Sequence, residues 1–536
     1  MNRYQQELRA TGNSDAVKNS IWDGLSDGVL DINIFGAKNE VVSFNLILEA
    51  AQQTATNISI SLDKLVGPNG FTLNNPDVTG NGVFNWNDRE IELFYVDYLE
   101  IEGLSAFGYA DYDERLVPEK LRRPFTLDSY NRAFANPNTT WLDRPNHNQA
   151  YPDIAVPLEL VPNFEITAGQ NQSIWGDIYI PKDAPSGFYN GTIQVQQGGL
   201  TVYELPLSLE VKNFTLPDES TAQAMVYLET SDINQRYTGD RSAPFTPEIS
   251  EILDHHFQLA HRHRIPLINT GEDRDGLYTW ALGKPPDEWL PRLDGSLFTP
   301  EEGYEGPGVG TGTGVYSIGT YRNPFLNGTH SMASVQAKSN EWVQWFQANA
   351  PNTDYFVYLI DESSNYAQIE QWASWIANNP GIGRQLQTFA TIPLPEACHC
   401  TPSLSIPAST LGVGDISRWQ TAFDFFNNQP DHQVFMYNGS RPASGSFMTE
   451  DEGVALRELA WGQYKMGIDR WFYWAGNAYR NESGELTNVF EQAQTFGYYN
   501  PDDPRTASRG KTGYLYSNGD GVLFYPGTDV IHPNSS

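Results

Sequence analysis

Asp354-Tyr355-Phe356-Val357-Tyr358-Leu359-Ile360-Asp361-Glu362-Ser363 is an apolar, aromatic-rich run that stops at two adjacent carboxylates. Tyr355 to Ile360 carry no charge and are mostly β-formers, and Ser363-Ser364-Asn365 breaks the run before a helical pattern begins at Tyr366. The stretch reads as a buried strand that delivers acids to a rim. In an α/β barrel the C-terminal ends of the parallel strands are where catalytic side chains gather.

The same alternation extends on both sides of this strand. Ala224 to Leu228 is strand-like, Ile249 to His263 carries a helical apolar face, and Ile265 to Asn269 is strand-like again. The rhythm continues through helix 333–349, strand 355–360, helix 366–377, strand 386–392, helix 419–427, strand 433–437, helix 451–466 and strand 470–474. This is the grammar of a (β/α) barrel. Between about 270 and 330 lies a Gly- and Pro-rich insertion that includes Gly306 to Gly314. It reads as a substrate-side loop or cover, because its glycines lack the strand-to-helix setting of a phosphate loop. Residues from about 20 to 212 have another pattern. Glu40 to Glu49, Asn57 to Leu62, Ile91 to Ile101, Trp175 to Pro181, Gly187 to Val195 and Leu205 to Val211 are short strands punctuated by Gly, Pro and Asn turns. The expected fold is therefore multidomain α and β, an N-terminal β-sandwich over residues 1–215 followed by a TIM-type (β/α) barrel over residues 216–536.

Composition narrows the function. Lys and Arg total 33 against 66 Asp and Glu, a formal net charge of −33, which repels nucleic-acid phosphates and anionic membranes. No run approaches the ~18 apolar residues that span a bilayer, so no membrane insertion is expected. Met1 to Glu7 lacks the apolar core of a signal peptide; if a leader is missing, a secreted or periplasmic destination is expected. Aromatic residues make up 13% of the chain, a supply suited either to stacking on sugar rings or to burying large loops. Cys398-His399-Cys400 holds both cysteines without the spaced second pair of a zinc site, so a reduced pair or a strained loop disulfide is expected and no metal. His255, His256, His261 and His263 read as surface or helix-end residues. No nucleophile elbow, Walker loop or dinucleotide fingerprint occurs in a suitable setting, and no cofactor is expected.

Adjacent residues on a regular strand point to opposite faces, so Asp361 and Glu362 can cooperate only where the strand ends and the backbone turns. A helix cap for 366–377 or an ion-pair rim is the competing structural reading. Two later strands end in groups suited to a sugar pocket: Tyr437-Asn438 after Gln433 to Met436, and Trp474 with Asn477 after Arg470 to Tyr473. Sugars need an apolar platform for their C–H face and forked polar groups for their hydroxyls. Core packing is the expected place of Trp471 and Phe472.

Several pieces, in order and spacing, resemble glycoside hydrolase family 123. Ala37 to Phe44 looks like its opening sandwich strand, Tyr358-Leu359-Ile360-Asp361-Glu362 like its catalytic strand end, and Trp471 to Trp474 with Gly519 to Gly527 like its C-terminal signature. The resemblance implies a β-N-acetylgalactosaminidase-like reaction with retention, in which the substrate's own 2-acetamido oxygen attacks the anomeric carbon. Glu362 would be the general acid/base and Asp361 would orient the acetamido N–H. Tyr358, Tyr437, Asn438, Trp474 and Asn477 would contact the glycan substrate. Ser363 stands where the family has proline. Relatives continue past the Tyr525-Pro526-Gly527 signature through a further helix, so a truncated C-terminus is expected. Two alternatives stand beside this reading: a two-carboxylate glycosidase whose second acid is Glu396, Asp415 or Glu450, and a glycan-binding protein without turnover.

Overall fold

The computed structural model describes residues 32–101, 105, 125–127, 133–135, 149–269, 276–321, 324–325, 330–410, 416–439, 446–451, 453–481, 483–497, 500 and 516–527. The first part of the chain contributes strands β1 (Ile32–Lys38), β2 (Glu40–Glu49), β3 (Ala55–Ser61), β4 (Lys64–Val66), β5 (Thr72–Asn74), β6 (Ile91–Ile101), β7 (Phe125–Leu127), β8 (Ala133–Ala135), β9 (Gln149–Pro157), β10 (Phe164–Ile166), β11 (Asn171–Ile180), β12 (Gly187–Gln197) and β13 (Leu200–Thr215). One sheet runs β1-β13-β12-β3-β10, with β4 on β12 and β5 on β4. The other runs β2-β11-β6-β9, and β7 pairs with β8 alone.

Period-two patterning closes these sheets face to face. Val42, Phe44 and Leu46 of β2 share one buried cluster with Ile193 of β12 and Leu207 and Leu209 of β13. Within the second sheet, the Phe44 ring lies over its cross-strand partner Gly176, where a Cβ would sit 2.3 Å from the ring.

The second part supplies β14 (Gln223–Tyr227), β15 (Leu267–Ile268), β16 (Val315–Ile318), β17 (Asp354–Ile360), β18 (Gln387–Thr391), β19 (Ile406–Ser409), β20 (Phe435–Tyr437) and β21 (Arg470–Tyr473). Neighbours are parallel in the order β15-β14-β21-β20-β19-β18-β17-β16, so the ring follows the chain and lacks a ladder only between β15 and β16. This is a nearly closed eight-stranded barrel. Inward residues such as Met225, Phe356, Phe389, Phe435 and Phe472 fill it, while outward Val226, Val357, Met436 and Trp471 pack on the helices. Phe472 and Trp471 thus lie in the core as expected. A final ribbon pairs β22 (Gln494–Phe496) with β23 (Ser517–Asn518). Among the described residues no helix is long and apolar enough to cross a membrane.

Two sequence expectations change here, and a third is decided between its alternatives. Gly310 to Gly314 leads into the start of β16 and, with Gln223 at the start of β14 and Asn352-Thr353 before β17, lines a cavity of about 420 Å³ at the N-terminal end of the barrel. The glycine run is therefore on the side opposite the strand ends and is not a substrate-side cover, because a parallel strand has to be entered from the bottom. His256 is buried, with its Nδ1 2.7 Å from the Ile252 carbonyl. His255 stacks on Phe84 at 4.7 Å and His261 on Phe298 at 3.8 Å. His255 and His256 are packing residues, because the helix Pro247–Arg262 is covered by other segments, whereas His261 in its last turn and His263 at its C-cap keep the expected helix-end positions. Burial pushes His261 down to about 4, which leaves a neutral ring to stack. Finally, Cys398 and Cys400 are free thiols on the helix Leu394–Cys400. Two residues apart on a helix, they project in different directions, which suits neither a disulfide nor a chelate.

A buried charge pair joins sandwich to barrel. The Arg262 Nε donates to Glu92 Oε2 at 3.0 Å, its Nη1 donates to the Glu305 carbonyl at 2.6 Å, and Trp86 Nε1 donates to Glu92 Oε1 at 2.9 Å. Their side chains are only 1% and 8% exposed for Arg262 and Glu92. Removing Arg262 leaves Glu92 only the longer, 3.8 Å contact with Arg89, so Arg262→Ala should lower stability by about 3 kcal/mol in urea unfolding. A loss under ~1 kcal/mol, the size of a surface pair, would refute the importance of this joint.

Candidate active site

The end of β17 breaks the strand's alternation. Phe356, Val357 and Tyr358 pair with Gln387, Thr388 and Phe389 of β18, but the next pair is Ile360 with Ala390, so Leu359 is an extra residue. Such a bulge reverses the faces beyond it. Leu359 and Ile360 both pack toward the helices, and Asp361 returns to the barrel interior beside Tyr358. The Tyr358 hydroxyl donates to Asp361 Oδ1 at 2.8 Å. Three residues apart, they could not meet on a regular strand.

Thr391, at the end of β18, joins the two acids. Its Oγ1 donates to Asp361 Oδ1 at 2.6 Å and accepts from the Glu362 backbone N–H at 2.6 Å. Glu362 has φ +42°, a left-handed conformation that a non-glycine residue adopts at a cost of ~1–2 kcal/mol. The backbone turns here, which is the condition that the sequence set for cooperation between the acids. Asp361 Oδ1 takes both hydrogen bonds, and its Oδ2 has no protein partner among the described residues. The Glu362 carboxyl is pushed above the usual carboxylate range by burial first and by the charge of Asp361 second.

Asp361 lines a cleft of about 530 Å³ together with Tyr227, Tyr321, Trp474 and Phe496. Tyrosines floor it: Tyr227 meets Tyr321 edge-on at 4.8 Å, and Tyr321 lies 5.5 Å from Tyr358. The Tyr437 hydroxyl bonds with Tyr321 and Asn438, and burial and the nearby acids push its pKa up, so it is a neutral donor. Trp474 is held from behind, its Nε1 donating to the buried Asp520 at 3.0 Å; Tyr473 Oη also donates to Asp520, at 2.8 Å. The Gly519 to Gly527 signature thus anchors the cleft's tryptophan.

Tyr358, Asn438 and Asn477 hold elements in place. Tyr358 is fully buried beneath Asp361. The Asn438 Oδ1 accepts from the Trp474 N–H at 3.1 Å, and its carbonyl accepts from Trp471 Nε1 at 3.0 Å. Asn477 is fully buried and clamps the backbone of Glu229, accepting from its N–H at 2.7 Å and donating to its carbonyl at 3.0 Å. Glu396 pairs with Arg418, and Glu450 is buried against the Ser105 N–H; Asp415 lies outside the described residues. The carboxylates that share the cleft with Asp361 are instead Glu229 and Asp232, which follow β14.

A solved family 123 glycoside hydrolase from Clostridium perfringens, studied for glycolipid glycan hydrolysis, superposes with a TM-score of 0.57. The two share 14% identity over 93% of this chain and 79% of that one. The chain has the fold of a family 123 glycoside hydrolase. A putative β-galactosidase from Bacteroides fragilis covers 82% of this chain and 53% of that chain at 9% identity and TM-score 0.25. A family 5 xyloglucanase from Bacteroides ovatus covers 83% and 92% at 7% identity and TM-score 0.24. Likenesses that slight carry no argument. No family model and no curated protein matches the sequence.

In this family 123-like frame, Thr391 is the residue whose loss disturbs both acids without removing either. Thr391→Val leaves the Glu362 N–H unpartnered and Asp361 with one donor fewer. The expected fall in kcat/KM on an activated aryl β-glycoside is about 10- to 100-fold, the scale of a hydrogen bond to a charged group. Unchanged kinetics would show that Thr391 does not set the acids' geometry.

Proposed function

We propose that the protein is a glycoside hydrolase that removes a terminal β-linked N-acetylhexosaminide, an N-acetylgalactosaminide in preference, with retention and substrate assistance. The observation that carries this reading is the asymmetry of Asp361, whose Oδ1 is fixed by two hydroxyls while Oδ2 remains available in the cleft. A free carboxylate oxygen on a fixed mount suits an acetamido N–H, and orienting that amide aims its carbonyl oxygen at the anomeric carbon. The C–O bond to the leaving group breaks as the acetamido oxygen bonds to carbon, and Glu362 transfers its proton to the departing oxygen. Water, deprotonated by the same carboxylate, then opens the oxazolinium intermediate with net retention. On this reading Tyr437 would donate to the acetamido carbonyl from the buried layer beside Tyr321, and Trp474 would offer a face to the ring's C–H side. The fold likeness to a family 123 hydrolase supports the reaction class.

A two-carboxylate mechanism has one observation in its favour: Glu229 lines the same cleft as Asp361. Hydrolysis of matched aryl β-glycosides separates the two. Turnover confined to acetamido sugars supports substrate assistance, whereas turnover of plain galactosides or glucosides overturns it. Binding without turnover by the unmutated protein would make it a glycan-binding protein.

Glu362→Gln should slow substrates with poor leaving groups far more than activated aryl glycosides, because only the former need protonation. Equal losses across leaving groups would remove the acid assignment. Asp361→Asn should impair both classes, since every substrate needs its nucleophile oriented.

The raised Glu362 pKa also gives a signed prediction. Its acid form persists to higher pH than an ordinary glutamate, so activity on poor leaving groups should fall as pH rises through that pKa. Asp361→Asn removes the second cause of the rise and leaves burial. Carbon NMR titration of the Glu362 carboxyl should therefore move to lower pH in this variant, and an upward move would contradict the coupling.

A further inference from the structure

Glu229 and Arg241 line the same cleft as Asp361, and the sequence reading did not single them out. Glu229 follows β14, two residues after Tyr227, and both line the cleft. Its Oε2 accepts from the Tyr227 hydroxyl at 3.3 Å and lies 3.3 Å from Arg241 Nη2. Its Oε1 accepts from Ser231 Oγ at 2.5 Å and from the Ser231 N–H at 3.2 Å. Arg241 Nε donates to Ser231 Oγ at 2.6 Å, and Arg480 Nε lies 2.6 Å from Asp232 Oδ1. The Arg241, Glu229 and Arg480 side chains remain 35%, 17% and 19% exposed, whereas Asp232 is only 3% exposed and acts from behind. Asn477 fixes the Glu229 backbone on both its N–H and its carbonyl.

From the proposal that this cleft holds an acetamido sugar, we infer that Glu229 and Arg241 read the ring hydroxyls on the side away from the acetamido group, and so set which epimer is accepted. The tyrosine floor supplies the scale. Tyr358 carries Asp361 and Tyr227 carries Glu229, and the two rings are joined through Tyr321 by contacts of 5.5 and 4.8 Å. That span accommodates a single pyranose, so an acetamido group at Asp361 directs the C3 and C4 hydroxyls toward Glu229 and Arg241. A hydroxyl both donates and accepts, and a carboxylate beside a guanidinium satisfies both roles at once. An anionic group on the sugar fits less well. Glu229 and Asp232 balance the two arginines, and the chain as a whole carries −33. Epimers at C4 present this pair with hydroxyls in different directions, and a site built to bond a hydroxyl discriminates strongly when it is lost or displaced.

The test crosses the protein variants Glu229→Gln and Arg241→Lys with aryl β-N-acetylgalactosaminide, its glucosaminide epimer and a 4-deoxy analogue. With the unmutated protein the 4-deoxy analogue should be poorer by about 10- to 100-fold in kcat/KM. Glu229→Gln should lower kcat/KM for the galactosaminide by a similar factor, yet change the 4-deoxy analogue less than about threefold, since the bond is already absent there. Arg241→Lys, at a more exposed side chain, gives a second reading if Glu229→Gln does not fold, and should narrow the ratio between epimers. Equal losses on all three sugars would overturn the inference and identify Glu229 as part of the reaction machinery. An unchanged epimer ratio in both variants would overturn it as well, while acetamido turnover by the unmutated protein left the proposed function standing. If that protein turns over only plain hexosides, substrate assistance falls, and the same cross with galactoside, glucoside and 4-deoxygalactoside decides the role of Glu229. If nothing is turned over, NMR-detected binding of N-acetylgalactosamine takes its place: weakening by Glu229→Gln supports the inference, and undiminished or absent binding overturns it.

Discussion

The site depends on one threonine hydroxyl. Thr391 Oγ1 gives its proton to Asp361 and its lone pair to the Glu362 N–H, so a single oxygen sets the side chain of one acid and the backbone of the next. Two neighbouring carboxylates on a strand would otherwise diverge. The bulge at Leu359 turns Asp361 inward, and the left-handed Glu362 redirects the chain at the following residue. The two deviations are complementary. Without the bulge, Asp361 would not reach Tyr358, and without the turn Glu362 would continue along the outer face of the barrel. Strain at a functional residue persists only where its surroundings over-determine it, and Thr391 with the β18 ladder does so here.

The remainder of the molecule keeps this corner stiff. Tyr358, Phe389, Phe472 and Tyr437 pack ring against ring inside the barrel, so the tyrosine that holds Asp361 has little freedom. The C-terminal ribbon contributes Asp520, whose two donors, Tyr473 and Trp474, lie on either side of the barrel wall's last strand end. The sandwich acts at a distance. Glu92 and Arg262 secure it to the helix Pro247–Arg262, and Asn39, at φ +63° between β1 and β2, accepts from Arg264 Nη2 at 2.8 Å through its carbonyl. Both joints meet the barrel near the end of one helix. The opposite, catalytic ends of the strands are left open to a ligand.

Much of this was legible because periodicity reports burial. The strand Tyr355 to Ile360, the helix 366–377 and the alternation around them follow from apolar spacing alone, and the acids are visible where that spacing stops. Two four-residue strands, β16 and β19, were not visible. β16 follows a glycine run that reads as loop, and β19 contains Pro407, which masks a strand. The bulge was equally hidden, since Leu359 differs from its neighbours in register and not in residue type. Arg480 comes from a segment far from Glu229 and Arg241 in the chain and joins them only once β14 and β21 pair. A signal for Glu229 was nevertheless present: it is an acid just beyond an apolar strand, Ala224 to Leu228, the same pattern that marked Asp361. The misplaced glycine run had the opposite cause. A long insertion after a strand suggests the catalytic side, but the chain had to descend to start β16, and its glycines belong to that lower end.

The different tethers of the two acids suit the different roles proposed for them. Asp361 is fixed through a side-chain oxygen by two hydroxyls, one of them on a fully buried tyrosine. Glu362 is fixed through its backbone, and its side chain is only partly covered, with no protein partner for its carboxyl among the described residues. Orienting a substrate's amide requires a group that does not move, because misalignment of the internal nucleophile is costly to the rate. Proton transfer first to a leaving oxygen and later from a water requires a carboxyl that can reach two positions. Burial and the charge of Asp361 raise the proton affinity of the mobile acid, and the fixed acid is the source of that charge. On the proposed mechanism the rigid residue would act twice, as the guide for the substrate and as a charge that raises its neighbour's proton affinity, and both actions would depend on the same short link through Thr391.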